Sequence, residues 1–144
     1  MALPDELSYT DGAQVACGFG TVYEGLEKVG ISGNDAVLVV GLGPVGLAAL
    51  MLSKALGANK LIGVDVVEDR LEVVRKLGLA DHVLKSGPDN VEEIRSLTGG
   101  YGVERAFDAS GNDKGRLTAI QATSKWGKIA LVGEGGTLAL QPSY

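Results

Sequence analysis

From residue 36 onward the chain alternates between short apolar runs and longer amphipathic segments, with glycine, proline, asparagine or aspartate at most junctions. Residues 36–41 (AVLVVG) are a continuous apolar run rich in valine, which predicts a strand buried on both faces. Residues 44–56 (PVGLAALMLSKAL) predict a helix, with Pro44 in its first turn and Gly57 past its end. Nearly every position in it is apolar, so burial on several sides is expected. A second strand follows at 60–65 (KLIGVD) and a second helix at 68–77, with Leu71, Val74 and Leu77 on one stripe and Gly78 beyond it. The third strand is expected at 82–85. The third helix is expected at 89–97, with Asp89 as its cap and Glu92 in the capping-box position. Residues 103–109 read as a fourth strand, 113–123 as a fourth helix weakened by Gly115, 127–133 (GKIALVG) as a fifth strand and 137–140 as one more extended piece. Trp126, just ahead of the fifth strand, is expected to pack. Before all this, residues 1–17 read as mostly irregular. Residues 21–29 read as a helix, with Val22, Leu26 and Val29 at helical spacing and Glu24 four places before Lys28.

Repeated strand–helix alternation predicts an α/β fold, a doubly wound and mainly parallel sheet with helices on both faces. The 144 residues suit one domain, and 45% hydrophobic with 22% charged residues suits a folded one. Net charge is −5 without a Lys/Arg cluster, which argues against a nucleic-acid partner. No apolar stretch reaches membrane-spanning length. Cys17 is the only cysteine and excludes an internal disulfide, and residues 1–12 lack the layout of a secretory signal. A cytoplasmic location is expected from these features.

The candidate chemistry lies in Gly41-Leu42-Gly43-Pro44-Val45-Gly46, a G-x-G-x-x-G turn. The pattern alone is weak in a chain with 22 glycines, but it leaves an expected strand and opens an expected helix. Gly41 permits the tight turn, Gly43 lets backbone approach a pyrophosphate, and Gly46 lets helix and strand pack closely. The helix N-terminus favours phosphate charge. Asp65 ends the second strand nineteen positions after Gly46, where a carboxylate can accept from ribose hydroxyls and repel a 2′-phosphate. A Rossmann domain that binds NAD in preference to NADP is expected. Arg70 pulls the other way, since a nearby arginine can favour a phosphate.

Three further segments carry a resemblance. Cys17-Gly18-Phe19-Gly20-Thr21-Val22-Tyr23 stands ahead of the glycine turn, the turn continues as GLGPVGLAALMLSKALGA, and FDASG (107–111) and GKIALVG (127–133) follow. With these the chain resembles the zinc-dependent medium-chain alcohol dehydrogenase family along essentially its whole length. The resemblance implies reversible hydride transfer between a small alcohol or polyol and NAD, assisted by zinc. It implies Cys17 as a ligand of that zinc and Thr21 near the nicotinamide. It places residues Gly41 to Gly46 at the pyrophosphate, and Asp65 and Arg70 at the adenosine. Ser110 and Val132 fall at positions lining the cofactor cleft. Family members carry a catalytic domain ahead of this region, which supplies the other zinc ligands. With one cysteine and one histidine here, zinc is expected in the whole parent protein and not in this stretch, which is expected to bind cofactor without oxidising alcohols. Residues 1–30 are expected as a lead-in segment and helix, and 31–144 as the NAD-binding domain. The family sheet has a sixth strand where only five are found, so the sheet is expected to lack its last strand and to offer an open edge for self-association.

Plainer readings stand beside these. Cys17 can be an inert thiol, His82 a structural residue, and Glu68-Asp69 a solvated helix start. Two other functions stand beside these: a non-enzymatic nucleotide-sensing regulatory module with a similar glycine turn, and a methyltransferase, which also places an acid after its second strand but usually spaces its glycine turn differently.

Overall fold

The computed structural model describes residues 2–140. Residues 9–17 are helical where irregular chain was expected; residues 2–8 are irregular. Ser8 caps helix α1 (Tyr9–Gln14) by accepting from the N–H of Asp11, whose carboxylate accepts in return from the Ser8 N–H and hydroxyl. This capping box spans S-x-x-D rather than the commoner S-x-x-E. Helix α1 runs without a break through a π-helical segment (Val15–Phe19) into α2 (Gly20–Val29). Helix α2 seats Val22, Leu26 and Val29 in the core, and Gly30, with φ 68°, ends it.

Five parallel strands then alternate with helices: β1 (Ala36–Val40), α3 (Pro44–Ala55), β2 (Lys60–Asp65), α4 (Glu68–Leu77), β3 (His82–Lys85), α5 (Asn90–Leu97), β4 (Val103–Asp108), α6 (Asp113–Ala122) and β5 (Thr123–Leu131). The sheet order is β3-β2-β1-β4-β5, so the winding reverses between β1 and β4. The expected α/β Rossmann arrangement is therefore observed. β1 lies in the middle with all five residues buried. Its Val37 and Val39 join the core shared with α2, α3 and α4, while Ala36, Leu38 and Val40 join the core shared with α5 and α6. Two covered faces explain why the run has no polar alternation.

Several details differ from the sequence reading. Leu77 is 60% exposed, outside the stripe formed by the buried Leu71 and Val74. Asp89 precedes α5 but its side chain caps nothing. Asn90, the first residue of α5, instead ties the helix to the loop before it, accepting from the Gly87 N–H and donating to the Lys85 carbonyl, so no side chain caps this helix. β5 begins at Thr123 and ends at Leu131, so Val132 lies past the strand. Its pairing jumps from Val103↔Thr123 to Arg105↔Lys128. Trp126 sits in the bulge this creates, with φ 67° and 99% exposure, and does not pack. Residues 137–140 form no strand. Thr137 instead donates its N–H to Asp113. No helix among the described residues is long and apolar enough to cross a membrane.

Candidate cofactor cleft

Reversal of winding opens a crevice at the carboxyl ends of β1 and β4, the place where open α/β sheets take ligands. A cleft of about 640 Å³ lies there. Gly41, Gly43, Pro44, Val45 and Gly46 line it from the turn between β1 and α3. Gly41 has φ 88°, and a Cβ on it would stand 2.7 Å from the Cα of Ser110. A Cβ on Gly46 would collide with the Gly41 carbonyl oxygen. Both glycines are thus required by close backbone approach. Gly43 differs. Its φ is −70°, and a Cβ there would find nothing nearer than the Arg70 guanidinium at 3.9 Å. Glycine at this position leaves open space in the cleft. Gly43 is also the N-cap of α3, and no side chain caps that helix end. The first-turn N–H groups are therefore left for another acceptor.

Asp65 forms the neighbouring wall. Its buried carboxylate accepts the Leu42 N–H at 2.6 Å and the Val67 N–H at 2.8 Å, and it lies 3.5 Å from the Arg70 guanidinium. Ser110 forms the opposite wall, beyond the end of β4. The cleft therefore brings together Gly41, Gly43, Pro44, Val45, Gly46, Asp65, Arg70 and Ser110. Leu42 does not line the cleft: its side chain is fully buried in the core and its N–H is donated to Asp65. Val132 does not line the cleft. It lies in a separate depression between α2 and β5, and donates its N–H to the Asp108 carbonyl. Cys17 and Thr21 lie outside the cleft, exposed on the π-helical segment and on α2.

Three polar lining residues escaped the sequence reading: Ser86, Asn112 and Lys114. Asn112 had a readable signal, since it caps α6 by accepting from the N–H groups of Lys114 and Gly115. Nothing in the local pattern marks Lys114 or Ser86. With Arg70, Lys114 gives the cleft two cations beside the single carboxylate of Asp65.

An open glycine, an uncapped helix start and two cations fit a ligand carrying linked phosphates. The residues do not fit a metal centre on their own. No group of three or more His, Cys, Asp or Glu side chains placed to hold an ion occurs among the described residues. A catalytic zinc takes three protein ligands.

Fold and cleft together define a Rossmann-type nucleotide-binding protein. Comparison with known proteins narrows this. The sequence pattern of the zinc-binding dehydrogenase family matches residues 44–143, and the chain belongs to that family. It is 47% identical over 142 residues to the zinc-type alcohol dehydrogenase-like protein YphC of Escherichia coli K12, covering 98% of this chain and 40% of that protein. Sorbitol dehydrogenase of Bacillus subtilis is 33% identical over 132 residues, covering 91% of this chain and 37% of the enzyme. The structure of benzyl alcohol dehydrogenase from Acinetobacter calcoaceticus superposes with a TM-score of 0.89 at 30% identity, over 99% of this chain and 40% of that one. The chain thus spans about 40% of the length of these relatives. With the family shown, the regulatory-module and methyltransferase readings are set aside.

Proposed function

We propose that this chain is the cofactor-binding part of an NAD-dependent, zinc-type alcohol or polyol dehydrogenase. The observation that carries the reading is the glycine turn opening on the cleft with Asp65 on the adjoining strand. The pyrophosphate would lie against the first turn of α3, where Val45 and Gly46 carry uncapped N–H groups. Ribose hydroxyls would donate to the Asp65 carboxylate. Each of its oxygens retains a lone pair beyond the backbone bond it already accepts. A 2′-phosphate would meet the same negative charge, which favours NAD over NADP. Arg70, held beside Asp65, would cover the adenosine.

When bound, the nicotinamide supplies the redox chemistry by accepting hydride from an alcohol. The protein's part is to hold and orient the dinucleotide. Ser110 is proposed as a wall of its site, with Thr21 and Val132 toward the nicotinamide end. Cys17 is proposed as one thiolate ligand of zinc in the whole protein, with the remaining ligands from outside these residues. Residues 1–30 would then join the catalytic part to the dinucleotide-binding domain at 31–144. Isolated from such a part, the chain is expected to bind cofactor without turning over alcohol. The outer edge of β5 is proposed as a surface for pairing with a second copy.

Titration of the 144-residue chain with NADH and with NADPH, followed by cofactor fluorescence or calorimetry, tests the reading. Tighter NADH binding is expected. Equal affinity removes the role given to Asp65, and absence of binding by either removes the reading.

A further inference from the structure

Asp108 ends β4 with its side chain fully buried, and Arg116 on α6 is buried beside it, its Nε donating to the Asp108 carboxylate at 3.1 Å. Neither residue lines the cleft. Asp108 reaches one residue that does, and Arg116 holds Asp108. The other Asp108 carboxylate oxygen accepts from the Ser110 N–H at 3.0 Å and from the Ser110 hydroxyl at 2.6 Å. Arg116 donates a second bond to the Gly133 carbonyl at 2.6 Å, while the Asp108 carbonyl accepts the N–H groups of Val132 and Gly133. One ion pair therefore joins the turn after β4, the start of α6 and the loop after β5.

The glycine turn leans on this assembly. The backbone around Ser110 lies so close to Gly41 that a Cβ there would stand 2.7 Å from Ser110 Cα. On its other side, a Cβ on Gly115 would come within 2.9 Å of Ser110 Cβ. Ser110 is thus wedged between the glycine turn and α6, and held from beneath by Asp108. A buried ion pair is weak evidence of stabilisation, because apolar residues of similar size often do as well. What it adds here is geometry. Arginine's planar fork fixes two acceptors at once.

We propose that Asp108 and Arg116 are positioning residues for the dinucleotide: their buried pair locks the 109–112 turn against the glycine turn and so sets the width of the cleft. The proposal rests on the cofactor reading of that cleft.

Two variants of the 144-residue chain test it. Asp108→Leu with Arg116→Met replaces the pair by apolar side chains and leaves no buried charge unpaired. Arg116→Lys keeps the charge and loses the fork. Both are read by NADH affinity and by amide hydrogen exchange of residues 40–46 and 109–112 in the free protein. Each folded variant is expected to bind NADH about tenfold more weakly and to exchange faster in both segments. Should the double variant fail to fold, Arg116→Lys carries both readouts. Wild-type affinity with wild-type protection in a folded variant would show the pair to be structural only and overturn the proposal. Failure of the unmutated chain to bind NADH would instead overturn the cofactor reading and this proposal with it, so the two failures are told apart.

Discussion

The carboxylate of Asp65 accepts the backbone N–H of Leu42 at 2.6 Å, so the acid closing β2 is bonded directly to the glycine turn leaving β1. One side chain both shapes the turn and offers charge to the cleft. Replacing Asp65 by alanine should do two separable things. It leaves the buried Leu42 N–H without its acceptor, which should cost about 1–3 kcal/mol in chemical denaturation. It also removes the repulsion of a 2′-phosphate, so the ratio of NADH to NADPH affinity should fall toward unity. Asp65→Asn keeps one acceptor oxygen but turns an NH2 donor toward the second backbone N–H, so it should recover only part of the stability while the preference stays lost. A variant that retained both properties would remove Asp65 from the cofactor account.

Glycines 43 and 46 should respond in opposite ways to alanine. At Gly46 the added methyl group collides with the Gly41 carbonyl, and α3 would have to part from the turn. Gly46→Ala should lower the melting temperature sharply. At Gly43 the backbone is ordinary and the methyl group enters open space. Gly43→Ala should leave stability within about 1 kcal/mol of the original yet weaken NADH binding, because the methyl group occupies room needed by phosphate. Thermal denaturation beside cofactor titration separates the two.

Trp126 is the only tryptophan, 99% exposed and held at φ 67°. Its fluorescence should peak where water-exposed indole emits and be quenched freely by iodide. A non-glycine residue at positive φ costs about 1–2 kcal/mol, against which glycine adds about 0.5–1 kcal/mol of unfolded-state entropy. Trp126→Gly should therefore leave stability unchanged or raise it by up to about 1 kcal/mol. A loss larger than that would mean the indole has contacts that this exposure denies.

Glu68 has a carboxyl held below its usual range, first by the hydrogen bond from Arg75 at 2.8 Å and next by Lys85 at 3.3 Å. A carboxylate whose folded pKa is depressed contributes stability above its unfolded pKa, and that contribution disappears as pH falls through the folded value. Glu68→Gln should therefore be less stable than the original near pH 7, by a small margin because water screens this exposed surface site. The difference should close below about pH 4. Paired urea titrations at the two pH values check the sign.

The strands and the middle helices were legible because single segments encode them. Residues 60–65, 68–77 and 82–85 have the observed bounds, since an apolar run or stripe ends at a turn residue in each case. The same applies to the cleft's glycine wall and Asp65, which depend on order along the chain. What escaped depends on what the fold brings together. Arg116 reads as an ordinary charge on a helix until β4 and α6 place it over Asp108. Val132 reads as the end of a strand, but β4 ends at Asp108, which pairs with Leu131, and so leaves Val132 beyond the ladder. The expected cap at Asp89 is absent: no side chain caps α5, and Asn90 one place later bonds back to Gly87 and Lys85 in the preceding loop. The helix at Tyr9–Gln14 buries no residue, so it has no apolar stripe to announce it.

The π-helical segment holding Cys17 has a consequence for anything attached ahead of it. Helices α1 and α2 are joined by a single widened turn, and α2 is pinned by Val22, Leu26 and Val29 while α1 buries no side chain. Deleting one residue within 15–19 would restore α-helical winding and swing everything upstream by about 100° about the axis, leaving α2 in its seat. The extra residue thus acts as an angular setting: it fixes the compass bearing at which preceding chain departs from the sheet.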